Sequence, residues 1–223
     1  MQTFTVPSHM HVVHHKAALA RIHAPGVNAV VLPRQPAPGI NAYLQAMLAQ
    51  QEGFMARARL TRAQLDTSFN VAMDYMLAKW SALAADRSPM KQVFYNLLQS
   101  QARIFLALSG KDVVDVEVHL GLRGGIADTF HADNYGLLVN SVLRGPGTEW
   151  LPNHAVSGVP MRYGVQIIGA DETLAQRIPT GWLVAQKGGR NGLVHRRPVF
   201  HSPRLFVTCL DRKSADVRAD VHD

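Results

Sequence analysis

Two histidines and an aspartate, His131, Asp133 and His195, are the residues of this sequence whose chemistry suits a metal ion. Neutral imidazole nitrogens with one carboxylate oxygen form the facial ligand set of a non-haem Fe(II) centre, which leaves positions open for other molecules. His131 and Asp133 stand two residues apart, so on an extended backbone both side chains leave one face and reach one ion together. Taken alone, such a pair reads equally well as a surface turn at a strand start. A third ligand must come from another strand. His195 follows several strand-length segments, and an antiparallel barrel would fold it back onto the first pair. His201 is the alternative distal ligand, but His201-Ser202-Pro203 has the composition of a turn, whereas Val194 and the spacing to Arg204 place His195 on a strand.

The elements that must position these residues follow from composition and period. The chain has 223 residues, 47% hydrophobic and 17% charged, which is enough sequence for one folded domain with a sizeable core. No apolar run approaches the ~18 residues of a membrane span. Met1 to Lys16 lacks the basic start and apolar core of a secretory signal, so a cytoplasmic location is expected. The single cysteine, Cys209, rules out an internal disulfide and a thiolate cage, so any metal must be held by His and carboxylate. A formal charge of +7 favours an anionic partner: a small acidic substrate, a membrane surface or a nucleic acid. The Arg and Lys residues are scattered rather than striped, which speaks against nucleic acid.

Read in order, residues 1–25 form a loosely ordered arm that carries His9, His11, His14, His15 and His23. Residues 26–111 are expected to be a helical layer, entered through a short buried strand at Val27 to Leu32. Leu44, Met47 and Leu48 recur at helical spacing. Thr61 caps a helix with one continuous stripe, Leu65, Phe69, Met73, Met76, Leu77, Trp80 and Leu83, and Ser88, Pro89 and Gly110 bound another. After Gly110 the period becomes two. Val114, Val116, Val118 and Leu120 alternate with Asp115, Glu117 and His119, as in a strand with one buried face. Further strands are expected at Leu137 to Leu143, Tyr163 to Ile168, Trp182 to Gln186, Gly192 to Arg196 and Arg204 to Leu210. No crossover helix separates them, so the fold class is α+β, with an antiparallel jelly roll over 112–211 and a fraying polar tail over 212–223.

Several blocks resemble those of Fe(II)/2-oxoglutarate-dependent dioxygenases, which fold as a double-stranded β-helix. Gly145-Pro146-Gly147-Thr148-Glu149-Trp150-Leu151-Pro152 is similar to their Gly-Gly-Glu-Thr-x-Phe-Pro turn, and Pro179-Thr180-Gly181-Trp182-Leu183-Val184 to the strand before their distal histidine. Val194-His195-Arg196-Arg197-Pro198-Val199 follows, with Arg204 nine residues past His195. The chain more closely resembles domain-of-unknown-function family 1826, in Phe130-His131-x-Asp133, Arg144 through Trp150, Lys187-Gly188, Val194-His195-Arg196, Arg204-Leu205 and Leu210-Asp211. It departs from that pattern at Arg197, where a small Ser is usual, and at Gly136-Leu137, where Arg-Leu is expected.

The resemblance implies Fe(II) on His131, Asp133 and His195, with zinc or another divalent metal as the alternative, and 2-oxoglutarate as co-substrate. Arg204 would grip its remote carboxylate through a planar fork, and Thr208, four residues on, would lend a hydroxyl. A strand-end surface arginine is the plainer reading of Arg204. Tyr135 and Asn140 follow the metal pair on a strand that would line the cavity, and either could hydrogen-bond the co-substrate. Arg190, Arg196 and Arg197 would surround the mouth and accept an anionic substrate. Trp150, Trp182 and Phe206 are expected to pack the barrel. No Gly-x-Ser-x-Gly elbow is present, and Lys187-Gly188-Gly189 lacks the spacing of a phosphate loop. Three functions remain: a hydroxylase-type oxygenase on a small-molecule or anionic substrate, a non-catalytic cupin-like metal-binding protein, and a basic nucleic-acid-binding module.

Overall fold

The stretch in which valines alternate with acids becomes one long strand near the edge of a large sheet. The computed structural model describes residues 9–49, 51–121, 129–160 and 165–212. In chain order its strands are β1 (Met10–Val12), β2 (Ala29–Leu32), β3 (Phe54–Thr61), β4 (Val113–Gly121), β5 (Leu137–Arg144) and β6 (Glu149–Trp150). Then come β7 (Val156–Pro160), β8 (Val165–Ala170), β9 (Gln176–Arg177), β10 (Leu183–Lys187), β11 (His195–Arg196) and β12 (Arg204–Leu210). The large sheet has the order β1-β2-β10-β5-β12-β4-β3 and is antiparallel except at the β1–β2 pair. A small sheet, β11-β6-β9, and the β7–β8 hairpin complete the strands among the described residues. This mixed α+β arrangement, with a large antiparallel sheet, is consistent with a jelly roll. No helix of the described residues is long and apolar enough to cross a membrane.

The helices differ from the expected pattern in a way their sequences explain. The single stripe from Thr61 to Leu83 is broken into α2 (Arg62–Thr67), α3 (Phe69–Met76) and α4 (Ser81–Ala85), after α1 (Ile40–Leu48) and before α5 (Pro89–Ser109). Thr61 and Gln64 form the capping box that starts α2. Thr67 then returns its hydroxyl to the Ala63 carbonyl at 2.9 Å, and Ser68 leaves helical geometry at φ −139°. The stripe residues are nonetheless all buried, because apolar spacing records which side faces the core and says little about bends between turns. α5 is fastened to the large sheet by a buried amide. Gln101 donates to the Val139 and Val207 carbonyls at 2.9 and 3.1 Å and accepts from the Ser141 hydroxyl at 2.7 Å.

Two boundaries need correction. Residues 1–8 of the arm, and the tail after Arg212, lie outside the described residues; the rest of the arm is built into the fold, where β1 pairs with β2 and a 3₁₀ helix over Lys16–His23 buries Leu19 and Ile22. The segment 26–111 is not wholly helical, since β2 and β3 both join the large sheet. β3 is hard to read because its inward residues include the small Ala56 and Ala58, which give weak hydrophobic contrast against Arg57 and Arg59.

β4 also departs from its expectation, for both of its faces are covered. Asp115 and Glu117 are each 2% exposed. Arg59 donates to Asp115 at 2.5 Å and to Asp211 at 3.1 Å, and the Arg212 backbone N–H donates to Asp115 at 3.0 Å. The Arg212 guanidinium spans both oxygens of Glu117, one of which also lies 3.1 Å from His119 Nε2. Burial alone would raise the Glu117 carboxyl, but the hydrogen bonds from His119 and Arg212 overcome it and hold the group at about 2, against its usual 4.5. A depressed carboxyl stabilises the fold above its unfolded value and loses that contribution as pH falls through the folded value. Stability should therefore decline from about pH 4.5 toward pH 2, by an amount of the order of 3 kcal/mol from this one group. Urea unfolding across that window checks it: Glu117→Gln should flatten the acid limb, and an unchanged limb would remove Glu117 as its cause.

Candidate metal centre and its cavity

The two histidines are brought opposite each other by their own backbones. His131 N–H donates to the His195 carbonyl at 2.9 Å, and His195 N–H returns a bond to the His131 carbonyl at 2.8 Å. Residues that exchange both bonds in an antiparallel pair present their side chains on one face, and the imidazole centroids lie 4.8 Å apart. β11 is held in turn by β6, where His195 pairs with Trp150.

Each ring is then oriented by a carbonyl. His131 Nδ1 lies 2.9 Å from the Thr129 oxygen and His195 Nδ1 lies 2.9 Å from the Leu193 oxygen. A carbonyl can only accept, so Nδ1 is the donor in each ring, and a neutral imidazole held in this way turns its Nε2 lone pair inward. They meet Asp133, with Nε2 to carboxylate distances of 3.9 Å for His131 and 3.4 Å for His195. The ligand atoms of all three residues lie within 4.8 Å of one another, and among the described residues no other group of three His, Cys, Asp or Glu does so. Burial, and then the neighbouring His195, lower the pKa of His131, a shift toward the neutral form that a metal requires. Two imidazoles and a carboxylate on one side of an open space fit a divalent ion with vacant coordination positions.

That space is a cavity of about 250 Å³, lined among others by Tyr135, Leu138, Arg197, Arg204, Phe206 and Thr208. Arg204 is only 5% exposed. Its Nε–H donates to the Pro146 carbonyl at 2.9 Å, its Nη2 donates to the Thr148 hydroxyl at 3.1 Å, and the guanidinium lies 5.2 Å from the Phe206 ring centre. No carboxylate of the described residues pairs with it. Burial, with the charge of Arg197 added, draws its pKa down to about 10, which still leaves it cationic at neutral pH. The Gly145-Pro146-Gly147 turn makes this seat. Gly145 adopts φ +83°, and a Cβ there would come within 2.9 Å of the Arg204 Cα; a Cβ on Gly147 would meet the Ile178 carbonyl at 1.7 Å. Thr208, four residues along β12 on the same face, has a buried hydroxyl that no hydrogen bond among the described residues satisfies.

The other expected site residues divide. Tyr135 lines the cavity, with the Arg212 guanidinium 5.5 Å from its ring centre. Asn140 is buried on β5 but is not part of the cavity lining. Of the three mouth arginines, Arg197 lines the cavity, whereas Arg196 and Arg190 do not. Arg196 must leave the opposite face from His195, its neighbour on the strand. It pairs with Glu149 at 2.8 Å and Glu172 at 2.6 Å and lies 4.2 Å from the Phe130 ring centre. Arg190 is exposed on the 3₁₀ turn Gly189–Asn191. Sequence reasoning missed Glu117, His119 and Arg212, which also line the cavity, and Gln186, which donates to Asp133 Oδ2 at 2.9 Å. The alternation along β4 carried the signal for the first two, but their face reads as solvent until the opposing residues are known.

A family model described as "Protein of unknown function (DUF1826)" matches residues 14–211. The chain belongs to this family. The DUF1826 match spans every residue of the centre and of the cavity wall except Arg212. No curated protein matches the chain. Among solved structures, this DUF1826 protein is similar to an oxidoreductase of the 2OG-Fe(II) oxygenase family from Burkholderia pseudomallei, at 15% identity over 93% of each chain with a TM-score of 0.42. It is similar to a Pseudomonas putida prolyl-4-hydroxylase at 10% identity, covering 88% of this chain and 97% of that one, with a TM-score of 0.41. It is also similar to a rice dioxygenase for auxin oxidation at 13% identity, covering 87% and 75%, with a TM-score of 0.38.

Proposed function

We propose that this DUF1826 protein is an Fe(II)- and 2-oxoglutarate-dependent oxygenase of the hydroxylase type, built on a double-stranded β-helix and acting on a small, anionic substrate. The observation that carries this reading is Arg204, a buried guanidinium that no carboxylate of the described residues pairs with, in the same cavity as the His131, Asp133 and His195 donors. A buried charge without a counter-ion costs several kcal/mol, and a bound carboxylate would offset that cost through a bidentate pair. The unsatisfied hydroxyl of Thr208 on the same wall offers that carboxylate a further donor. A protein that only stores or senses a metal has no use for either group.

Iron held by the triad would supply oxygen activation coupled to decarboxylation of the 2-oxo acid. The chain's own residues do the rest. His131, Asp133 and His195 would hold the ion, and Arg204 with Thr208 would hold the remote carboxylate of the co-substrate in the same cavity. Arg197, on the cavity wall, gives an anionic substrate a cation to approach.

Anaerobic addition of Fe(II) and 2-oxoglutarate should produce a weak visible charge-transfer band, and succinate should form when oxygen is admitted. Metal-loaded protein that gives neither would overturn the reading and leave a metal-binding role.

A further inference from the structure

Gln186 is 1% exposed on β10, a strand otherwise read as sheet interior. Its register partners are Ala29 on β2 and Leu138 on β5, and Val184 precedes it on the same face, so its surroundings are mainly apolar. A buried primary amide is retained in such a place only with hydrogen-bond partners. Its Nε2 donates to Asp133 Oδ2 at 2.9 Å. The turn that follows holds the same aspartate by its backbone. Gly189 N–H donates to the Asp133 carbonyl at 2.6 Å, and Gly188 N–H donates to the Gly136 carbonyl at 3.4 Å. Gly188 lies so close that a Cβ would sit 2.4 Å from the Asp133 backbone carbonyl oxygen and 2.0 Å from that of Tyr135. The Lys187-Gly188-Gly189 segment is thus a seat for Asp133.

From these contacts we infer that Gln186 is a positioning residue for the metal centre, occupying one oxygen of Asp133 so that the carboxylate meets the ion through the other. The inference rests on the triad being the metal site. Without the amide, the carboxylate is free to turn about its last bond and to offer both oxygens. A bidentate aspartate would fill a position that a chelating 2-oxo acid needs. With the amide in place, three positions stay open and the ligand is pre-set before the ion arrives. Partners of this kind fix ligand orientation, and their removal costs about 10–100-fold in metal affinity.

The test is Mn(II) binding to the full chain, followed by the electron-paramagnetic signal of the free ion, together with the visible ligand-field spectrum of the Co(II)-loaded protein. Gln186→Leu places an apolar side chain beside Val184 and Leu138, and solvent can serve the partly exposed Asp133, so the metal-free melting temperature should hold. The expected result is an Mn(II) Kd raised about 10–100-fold, with a shifted Co(II) spectrum. Binding as tight as in the unmodified chain, or an unchanged spectrum, would overturn the inference. Should Gln186→Leu not fold, Gln186→Met is judged by the same two readouts. His131→Ala separates the two levels: tight binding retained there means that the metal lies elsewhere and the functional reading itself fails, whereas loss there with an unaffected Gln186→Leu sinks only the positioning role.

Discussion

Replacing Arg204 by methionine should weaken 2-oxoglutarate binding by about 30-fold to several thousand-fold, the range set by the 2–5 kcal/mol that truncation of a buried, hydrogen-bonded charge pair costs. The metal affinity of the same variant should stay within a factor of two or three of the original, because Arg204 contacts none of the ligands and its bonds run to Pro146 and Thr148. Methionine is the informative replacement, since its flexible chain fills the space beside Phe206 without adding a charge. Titration calorimetry with Mn(II) in place of Fe(II) reads both constants without turnover.

Two controls separate a carboxylate clamp from a structural arginine. If Arg204 serves mainly to pin the Gly145 turn through the Pro146 carbonyl, its removal should lower the melting temperature of the ligand-free protein. If it awaits an anion, removing an uncompensated buried charge should leave that temperature unchanged or raise it. The second control varies the ligand. A 2-oxo acid that lacks the remote carboxylate should bind the unmodified chain poorly and Arg204→Met no worse, so the two losses are not additive. Additive losses would mean that the guanidinium and the remote carboxylate do not meet. Arg204→Lys should recover only part of the affinity, since a point charge cannot reproduce the fork.

Much of this arrangement is legible before any coordinates, and the limits have physical causes. A strand that buries both faces announces itself by a continuous apolar run, as at Ala29–Leu32, and a strand with at least one buried face by a period of two, as along β4. The period of two does not say what covers the second face. Asp115 and Glu117 read as solvent-facing because acids usually are; Arg59, which lies more than fifty residues upstream on β3, and Arg212 after β12 convert them into a buried network. The same blindness to distant partners affects the arginines near His195. Strand parity turns Arg196 away from the cavity, whereas Arg197, just past the end of β11, lines it, and Arg190 cannot be placed by parity because it stands on a turn. Gln186 escapes notice for the opposite reason. Nothing in a strand of sequence Leu-Val-Ala-Gln-Lys marks its one amide as facing a carboxylate 53 positions earlier.

The identity of the distal ligand and the competition from the N-terminal histidines meet in one set of substitutions. His195→Ala and His131→Ala should each reduce divalent metal affinity by well over the ~100-fold that loss of an outer partner costs, since each removes a donor outright. Neither change should unfold the protein: the pair that joins these residues runs through backbone N–H and carbonyl groups, and both side chains face the cavity rather than the apolar core. His201→Ala should have no such effect, because His201 is exposed on a bend and belongs to no cluster of ligands among the described residues. Replacing His11, His14, His15 and His23 together by asparagine should likewise spare the tight site. These four are not part of any ligand cluster of the described residues, and the 3₁₀ helix that ends at His23 is held by Leu19 and Ile22, not by its histidines. Metal titrations of the four variants decide the matter. Tight binding that survives His131→Ala and disappears with the N-terminal substitutions would move the metal to the arm and leave Arg204 and Thr208 facing a cavity with no ion. Loss at His131 and His195, with retention at His201 and at the arm, leaves the cavity as the place where ion, carboxylate clamp and substrate have to meet.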